Sequence, residues 1–505
     1  MPEYLKALVV ILILAGMVFW LAKASVCELT SCADFRRRRN AWFFLTALAF
    51  LAHSFWIYLS VGAAVLLFLA GRDRNKAGLF LFLLFIIPPL SAEIPGLAGI
   101  NKFIAIDHIR LLEICILIPA WLALRRGADR LPLFASKVDV FVLGLVAIKI
   151  ILNFSRTSFT DALRESFYAF ADIFLPYFVV SRGLRDRQLL RDALLSLVIA
   201  AAVLAAIAVF EYLKGWLLYA DLMRALGLVW QVVPYVGRAG HLRASASATQ
   251  PIALGYVLMT AFGFLLALWP VVGRPAVRRT GLALLTAGLA ATLSRGPWLG
   301  LAVFLVIFRL AGSRVLRVYS IPIMLALAGM LVFQQAPGVR DVVGAIPFIG
   351  KTDMSTVDYR QRLFTNSMQV IGRHPWFGSA DYFLDPAYQD INPEHNIDVV
   401  NTYIQIGFTS GLVGVCLFLS IFLSAVIAVQ RALNRRADAE LDNIGRALIA
   451  SYIATLVVLG TVSSISFIPT LYWSLIGMGV AYVRIARSAQ PAITHTVRSR
   501  HALAL

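Results

Sequence analysis

The chain has 505 residues, of which 60% are hydrophobic and only 14% are charged. A soluble domain carries about 25% charged residues, so this composition excludes soluble enzymes, disordered proteins and disulfide scaffolds. We therefore predict an all-α, polytopic integral membrane protein. The formal net charge of +19 does not indicate nucleic-acid binding, because the basic residues fall in short clusters between apolar runs, as the positive-inside rule requires.

Apolar runs that are long enough to cross the ~30 Å hydrocarbon layer recur along the chain. The first lacks a small-residue cleavage site and is typical of a span rather than of a signal peptide. The stretch 41–70 is either one tilted span or a hairpin that folds near His53 and Ser54. We predict about 12 to 14 spans, at approximately 4–23, 41–70, 77–91, 109–124, 137–154, 166–182, 193–213, 252–270, 280–294, 297–312, 319–334, 404–428, 447–463 and 469–484.

From residue 77 onward, basic clusters alternate with basic-poor connections, so all of the clusters can face the cytoplasm at once. The far side then receives two long connections, at about 214–250 and 335–401. Loops of that length are usually functional or disordered. The second one contains enough aromatic residues to be ordered, namely Trp376, Phe377, Tyr382, Phe383 and Tyr388.

These features divide the chain into five predicted segments. They are an N-terminal membrane segment of open topology at 1–76, a transmembrane helical core at 77–334, a large periplasmic loop at 335–402, C-terminal transmembrane helices at 403–485 and a cytoplasmic tail at 486–505. Cys27 and Cys32 flank a short loop and are close enough in sequence to pair. Cys115 and Cys416 lie in apolar runs and are expected to be packing residues.

Arginines on the basic-poor side are the first candidate site residues. Arg295 lies in the turn Thr292–Gly300 between two apolar runs, where a positive-inside pattern should avoid arginine. A planar guanidinium matches phosphate oxygens bidentately, so several such arginines would suit a diphosphate. Taken alone, each one is better explained by contact with solvent or lipid phosphate; their joint presence on the basic-poor side favours a binding site. The other arginines of this set are Arg238, Arg243, Arg360 and Arg362.

A candidate general base lies just before the last long connection ends. His395 titrates near neutrality, and Glu394 or Asp398 is close enough in sequence to orient its imidazole; a plain loop histidine is the alternative interpretation. The acidic residues of the loop show neither D-x-D nor EF-hand spacing, so we expect no metal. The chain also lacks P-loop, HExxH and GxSxG motifs, and we expect no cofactor.

Three sequence motifs resemble those of the O-antigen ligase and polymerase superfamily of bacterial polysaccharide enzymes. Thr292–Gly300 resembles the family's T-x-S-R-G-x-W-L-G turn. Asn401–Gln405 followed by Gly411–Gly414 resembles its H-N-x-Y-L-Q…G-L-x-G ending. The family's R-x3-W…I-x3-P-x2-G segment is matched by Arg360, Phe364, Ile371, Pro375 and Gly378. The whole resemblance runs from about residue 238 to residue 414.

The resemblance implies a helical glycosyltransferase of the bacterial inner membrane with its active site facing the periplasm. Its donor would be a glycan on undecaprenyl diphosphate, and an acceptor hydroxyl would attack the anomeric carbon with inversion, without a metal or a nucleotide sugar. Arg295 and Arg360 would hold the diphosphate, and Arg243 would line the donor's access route. Further candidate substrate-binding residues are Arg238, Arg362, Asp398 and Asn401.

The resemblance departs from the family at one position. Val400 stands where the family has a histidine before Asn401. The expected general base is therefore His395 or Asp398. We predict that this base, Arg295 and Arg360 line one outward-facing cavity that opens laterally to lipid.

Within the family, we expect a polymerase that joins lipid-linked repeat units of O-antigen or exopolysaccharide. The altered histidine motif and the long aromatic loop favour it over a ligase that acts on lipid A core. A transporter or flippase for lipid-linked oligosaccharides is the alternative from another class. The expected partners are the lipid-linked glycan donor, a glycan or lipid-linked acceptor, membrane lipid and other polysaccharide assembly proteins.

Overall fold

The computed structural model describes residues 1–96, 102–126, 132–228, 237–238, 240–311, 354–391, 397–433 and 438–488. The predicted span 319–334, most of the predicted tail and the first part of the predicted large loop lie outside these ranges.

The described residues form nineteen α-helices, numbered here in chain order. The helices are α1 Glu3–Leu29, α2 Cys32–Leu51, α3 Phe55–Arg72, α4 Lys76–Leu83, α5 His108–Leu112, α6 Ile118–Arg126, α7 Lys137–Arg156, α8 Phe159–Ala169, α9 Leu175–Gly183, α10 Arg187–Lys214, α11 Leu222–Ala225, α12 Pro251–Ala267, α13 Pro275–Ala291, α14 Arg295–Leu310, α15 Met354–Arg373, α16 Pro386–Gln389, α17 Thr402–Leu433, α18 Ala439–Leu459 and α19 Ile468–Ser488.

Helices dominate because a backbone in hydrocarbon must satisfy its own polar groups. Single π-helical turns, Glu113–Leu117 and Phe170–Phe174, join α5 to α6 and α8 to α9. Two short antiparallel hairpins complete the described structure. Their strands are β1 Ala92–Pro95 with β2 Lys102–Ile106, and β3 Gly237–Arg238 with β4 His241–Leu242.

Six of the described helices are long and apolar enough to cross a membrane, which confirms the prediction of an all-α polytopic membrane protein. They differ in how much of their surface other helices cover, and α10 and α18 are the most enclosed. The six helices are α1, α3, α7, α10, α17 and α18.

The stretch 41–70 is a helical hairpin, as one of the two sequence interpretations predicted. Helix α2 ends at Leu51 and α3 begins at Phe55. His53 between them has φ +52°, and its Nε2 lies 3.2 Å from the Tyr4 hydroxyl at the start of α1. The tilted single span is therefore wrong, and the first three helices alternate in direction.

Ion pairs join the helix termini at one end of the bundle, which we call the basic end. Glu28 in α1 pairs with Arg274 just before α13, at 3.1 Å. Arg187 at the start of α10 binds Asp438 just before α18, at 2.6 Å. A disulfide between Cys27 and Cys32 closes the α1–α2 turn at the same end. The opposite end of α13 leads into Arg295, so we call that end of the bundle the Arg295 end.

One buried arginine connects three elements at the basic end. The side chain of Arg38 is only 2% exposed. Its guanidinium binds Asp73 through Nε and Nη2, both at 2.8 Å, and Asp192 through Nη2 at 2.9 Å. Ser196 accepts a further bond of 2.8 Å from Nη1. Buried charges are tolerated when they are paired and hydrogen-bonded, and this network fixes α2 and the start of α4 against α10.

Replacing Arg38 by alanine is expected to lower the free energy of unfolding by about 3–5 kcal/mol, because it leaves the carboxylates of Asp73 and Asp192 without their positively charged partner. Unfolding of the purified protein by dodecyl sulfate in mixed micelles measures the change. Arg39→Ala is the matched control, because that guanidinium binds only its exposed neighbour Asn40 among the described contacts. Equal unfolding midpoints for the two variants would contradict this assignment.

Candidate functional site

A strained turn carries Arg295 at the first position of α14. Leu293 in this turn has φ +48°, a left-handed conformation that is unfavourable by roughly 1–2 kcal/mol for a residue with a side chain. Local hydroxyl groups stabilise it. Thr292 Oγ1 donates to the carbonyl oxygen of Leu289 at 2.8 Å and accepts from Ser294 N–H at 3.3 Å. The turn is therefore held in one conformation, which fixes the start of α14.

Arg243 holds the same turn from the side. Its Nε donates to the carbonyl oxygen of Thr292 at 3.2 Å, and its Nη2 donates to Ser294 Oγ at 2.8 Å. The next residue, Ala244, adds a backbone bond to the carbonyl oxygen of Ala291 at 3.0 Å. Arg243 therefore contacts the residues that immediately precede Arg295 and positions the turn.

A buried carboxylate holds the segment that follows Arg243. Glu211 is fully buried, and its Oε2 accepts bonds from the amides of Ser245 at 3.0 Å and Ala246 at 2.9 Å. Its Oε1 accepts from the amide of Leu218 at 3.0 Å. Glu211 was not predicted from the sequence. The feature that could have indicated its role is an acidic residue near the end of a long apolar span.

Arg295 and Arg360 lie close enough at this end of the bundle for their charges to interact. Arg360 is half-buried in α15, and burial and the positive charge of Arg295 both lower its pKa from the ordinary arginine value. Among the described residues neither guanidinium forms an ion pair, whereas Arg373 at the end of the same helix pairs with Asp385 at 2.9 Å. The exposed Arg295 and the half-buried Arg360, whose charges act on each other, are therefore a candidate site for an anion.

Arg362 lies on the same helix as Arg360 but not on the same face. Arg362 is exposed, and because it lies two positions beyond Arg360 in a helix, it points to a different face. Arg238 lies in β3, whose backbone pairs with His241. His395 lies outside the described residues.

Asn401 caps the first turn of α17. Its Oδ1 accepts bonds from the amides of Tyr403 at 2.9 Å and Ile404 at 3.2 Å. Thr402 Oγ1 donates to the carbonyl oxygen of Val462 at 2.8 Å. The buried Asn401 side chain therefore fixes the helix start, and Thr402 ties that start to the connection between α18 and α19.

Asp398 lies between that connection and the start of α15. Ser463 Oγ donates to its Oδ1 at 3.3 Å. The hydroxyl of Tyr359 donates to the carbonyl oxygen of Asp398 at 2.7 Å and accepts from its amide at 3.0 Å. Because Tyr359 directly precedes Arg360, this contact ties the Asp398 backbone to the turn of α15 that carries Arg360.

The α18–α19 connection also meets the start of α14. A side chain on Gly296 would clash with Thr461 Oγ1, so Arg295 begins its helix directly against this connection. The starts of α14 and α17 therefore lie on one hydroxyl-rich segment, and helix N-termini carry partial positive charge. The segment 460–467 contains one threonine and three serines between two apolar spans. That composition was the signal by which the sequence could have indicated its role.

The fold and this site define a multi-pass membrane protein with a cationic, hydroxyl-lined centre at one end of its bundle. Residues 280–419 match the family model described as O-antigen ligase. This match supports the resemblance of the chain to the O-antigen ligase and polymerase superfamily of membrane glycosyltransferase-like proteins. The matched segment contains Arg295, Arg360 and Asn401, together with the three motifs of the resemblance. No protein among the curated ones matches the chain.

Glu211→Ala is expected to destabilise the fold by about 2 kcal/mol or more, because each buried amide left without an acceptor is unfavourable by roughly 1–3 kcal/mol. Glu211→Gln keeps one acceptor oxygen and should lose less. Thermal unfolding of both variants in detergent, compared with wild type, measures the order. A Glu211→Ala variant as stable as wild type would show that these amides find other acceptors.

Proposed function

We propose that the protein is a glycosyltransferase of the bacterial inner membrane that uses undecaprenyl-diphosphate-linked glycan as donor. It transfers the glycan to an acceptor hydroxyl at the periplasmic face, without a metal, and polymerises O-antigen or exopolysaccharide repeat units. The observation that carries this proposal is the juxtaposition of Arg295 and Arg360. Their like charges act on each other, and among the described residues no carboxylate pairs with either, as expected of a site that receives a diphosphate.

The orientation in the membrane follows from the distribution of charge. The arginines at the basic end are largely paired within the protein, and the loops there carry most of the basic clusters. The positive-inside rule assigns such an end to the cytoplasm. The Arg295 end then faces the periplasm, where lipid-linked repeat units are used.

The proposed reaction forms one bond and breaks one. The acceptor oxygen attacks the anomeric carbon, the bond from that carbon to the diphosphate oxygen breaks, and undecaprenyl diphosphate leaves with the electron pair. Attack from the opposite face inverts the anomeric configuration. Guanidinium groups that are fixed before the reaction stabilise the charge that develops on the leaving oxygen without reorganising, and the starts of α14 and α17 add partial positive charge.

A general base must accept the proton of the attacking hydroxyl. The candidates are His395 and Asp398. Asp398 contacts Tyr359, the neighbour of Arg360 in sequence, and Ser463 of the α18–α19 connection. These contacts support it as the base or as the residue that orients the histidine.

Arg295→Ala and Arg360→Ala are each expected to reduce glycan extension by about 100-fold or more, the usual loss when one donor to a developing anion is removed. The assay uses purified protein in vesicles with a synthetic undecaprenyl-diphosphate oligosaccharide and follows product length by electrophoresis. Arg362→Ala, on another face of the same helix, should lose much less. All three variants must retain the wild-type melting temperature.

The same assay separates the alternatives. A ladder of longer glycans supports a polymerase, and transfer to added lipid A core without a ladder supports a ligase. Movement of the donor across the vesicle membrane without new glycosidic bonds would favour a transporter and overturn the proposal. Equal losses in Arg295→Ala and Arg362→Ala would overturn the site assignment.

The pH dependence of the assay distinguishes the two bases. A base acts only when deprotonated, so activity rises with pH through its pKa. With histidine as base, activity should be half-maximal near pH ~6.5 and be lost by about 10²–10⁴-fold in His395→Ala. With aspartate as base, Asp398→Asn should be the inactive variant and His395→Ala should remain active. If both variants keep wild-type rates, neither residue is the base.

A further inference from the structure

Helix α17 is broken at Gly411, which has φ +60° and ψ −164° inside the helix. Residues 403 and 418 would lie about 22 Å apart along a straight helix, yet the rings of Tyr403 and Phe418 are 6.3 Å apart. The chain therefore bends sharply at Gly411. Residues 412–433, after the bend, would span about 33 Å as a helix, which matches the ~30 Å hydrocarbon layer.

The segment His374–Ser379 fills the break. The amides of Leu412 and Val413 donate to the carbonyl oxygens of Pro375 at 2.8 Å and Trp376 at 3.1 Å. In return, the amide of Ser379 donates to the carbonyl oxygen of Phe408 at 2.8 Å. A side chain on Gly411 would clash with the Trp376 backbone. This segment thus supplies the hydrogen bonds that the broken span loses, as a membrane environment requires.

A second span ends at the same level. Helix α7 is 20 residues long, or about 30 Å. This length equals the thickness of the hydrocarbon layer, so the helix can cross the layer from end to end. Arg156 at its last turn donates from Nη1 to the carbonyl oxygens of Phe377 at 3.2 Å and Thr409 at 3.3 Å. The segment His374–Ser379 therefore lies where two membrane helices leave the hydrocarbon.

The outward face of this region is apolar and exposed. Its members are Trp376, 65% exposed, Phe377, 46%, Phe383, 50%, and Leu384, 60%; we call these four residues the aromatic belt. The inward face is packed, since Tyr382 stacks on Phe408 with ring centroids 4.9 Å apart. The last two turns of α7 expose Ile151 and Phe154, and this helix meets the belt at Arg156, whose guanidinium donates to the Phe377 backbone.

We propose that the aromatic belt lies in the headgroup–acyl boundary of the bilayer and that membrane lipid is its occupant. Tryptophan and other amphipathic rings are enriched at that depth, and the belt continues the exposed face of a membrane span. The belt follows directly on α15, which ends at Arg373 and carries Arg360. Its immersion in lipid sets the height of Arg360 relative to the bilayer surface, so the belt is an interaction surface for lipid and an anchor for the site.

The test uses nitroxide labels on single cysteines placed at Trp376, Phe383 or Gln389 in the full chain, with the native cysteines replaced by serine. The protein is reconstituted in nanodiscs of phosphatidylethanolamine and phosphatidylglycerol. Collision of each label with molecular oxygen, which partitions into lipid, is compared with collision with a nickel chelate, which stays in water. Gln389, exposed in α16, is the water-facing control.

We expect the ratio of oxygen to nickel collisions to be several-fold higher at positions 376 and 383 than at 389. A ratio at position 376 equal to that at 389 would place the belt in water and overturn the proposal. A label that neither reagent reaches would indicate a protein partner and also overturn it. If Trp376→Cys fails to fold, Phe383→Cys provides the same test. Because no step measures activity, the result is independent of the proposed reaction.

Discussion

A guanidinium that leaves bulk water needs an opposite charge, and the two ends of this protein meet that need in different ways. At the basic end the protein supplies the anions itself: Asp73 and Asp192 enclose Arg38, and Glu440 binds Arg191 at 2.6 Å. At the Arg295 end, two cations act on each other without an acidic partner among the described residues. The first set stabilises the fold. We propose that the exposed Arg295 and the half-buried Arg360 bind an anionic ligand.

Three successive sets of contacts fix the backbone that carries Arg295. Glu211 holds the amides after Arg243, Arg243 holds the Thr292–Ser294 turn, and the turn keeps Leu293 in an unfavourable left-handed conformation. Strain of this kind persists only where surrounding contacts determine the backbone. Stabilisation of a developing anion depends on donors that do not reorganise, so the buried network behind Arg295 serves the proposed chemistry even though it touches no substrate.

Composition and charge pattern were enough to predict the helical membrane fold, because hydrophobic spans and basic clusters are local features of the sequence. The same charge pattern singled out Arg295 and Arg360 before their proximity was known. Tyr359 and Glu211 escaped prediction because their roles depend on partners 39 and 34 residues away in the chain. The break at Gly411 was not predicted for the same reason. The apolar run that contains Gly411 is typical of one continuous span, and the segment that hydrogen-bonds to the break, His374–Ser379, lies outside that run.

The bend at Gly411 explains how a helix start can serve a site inside a membrane protein. A straight α17 would carry Asn401 and Thr402 far beyond the surface of the bundle. The bend instead returns them to Val462 and to the level of Leu456, whose carbonyl oxygen accepts a 2.7 Å bond from Tyr403. The N-terminus of α17 then lies on the same α18–α19 connection as that of α14. Partial positive charge from backbone amides adds to the arginines without burying a further ionised side chain, which a membrane site tolerates poorly.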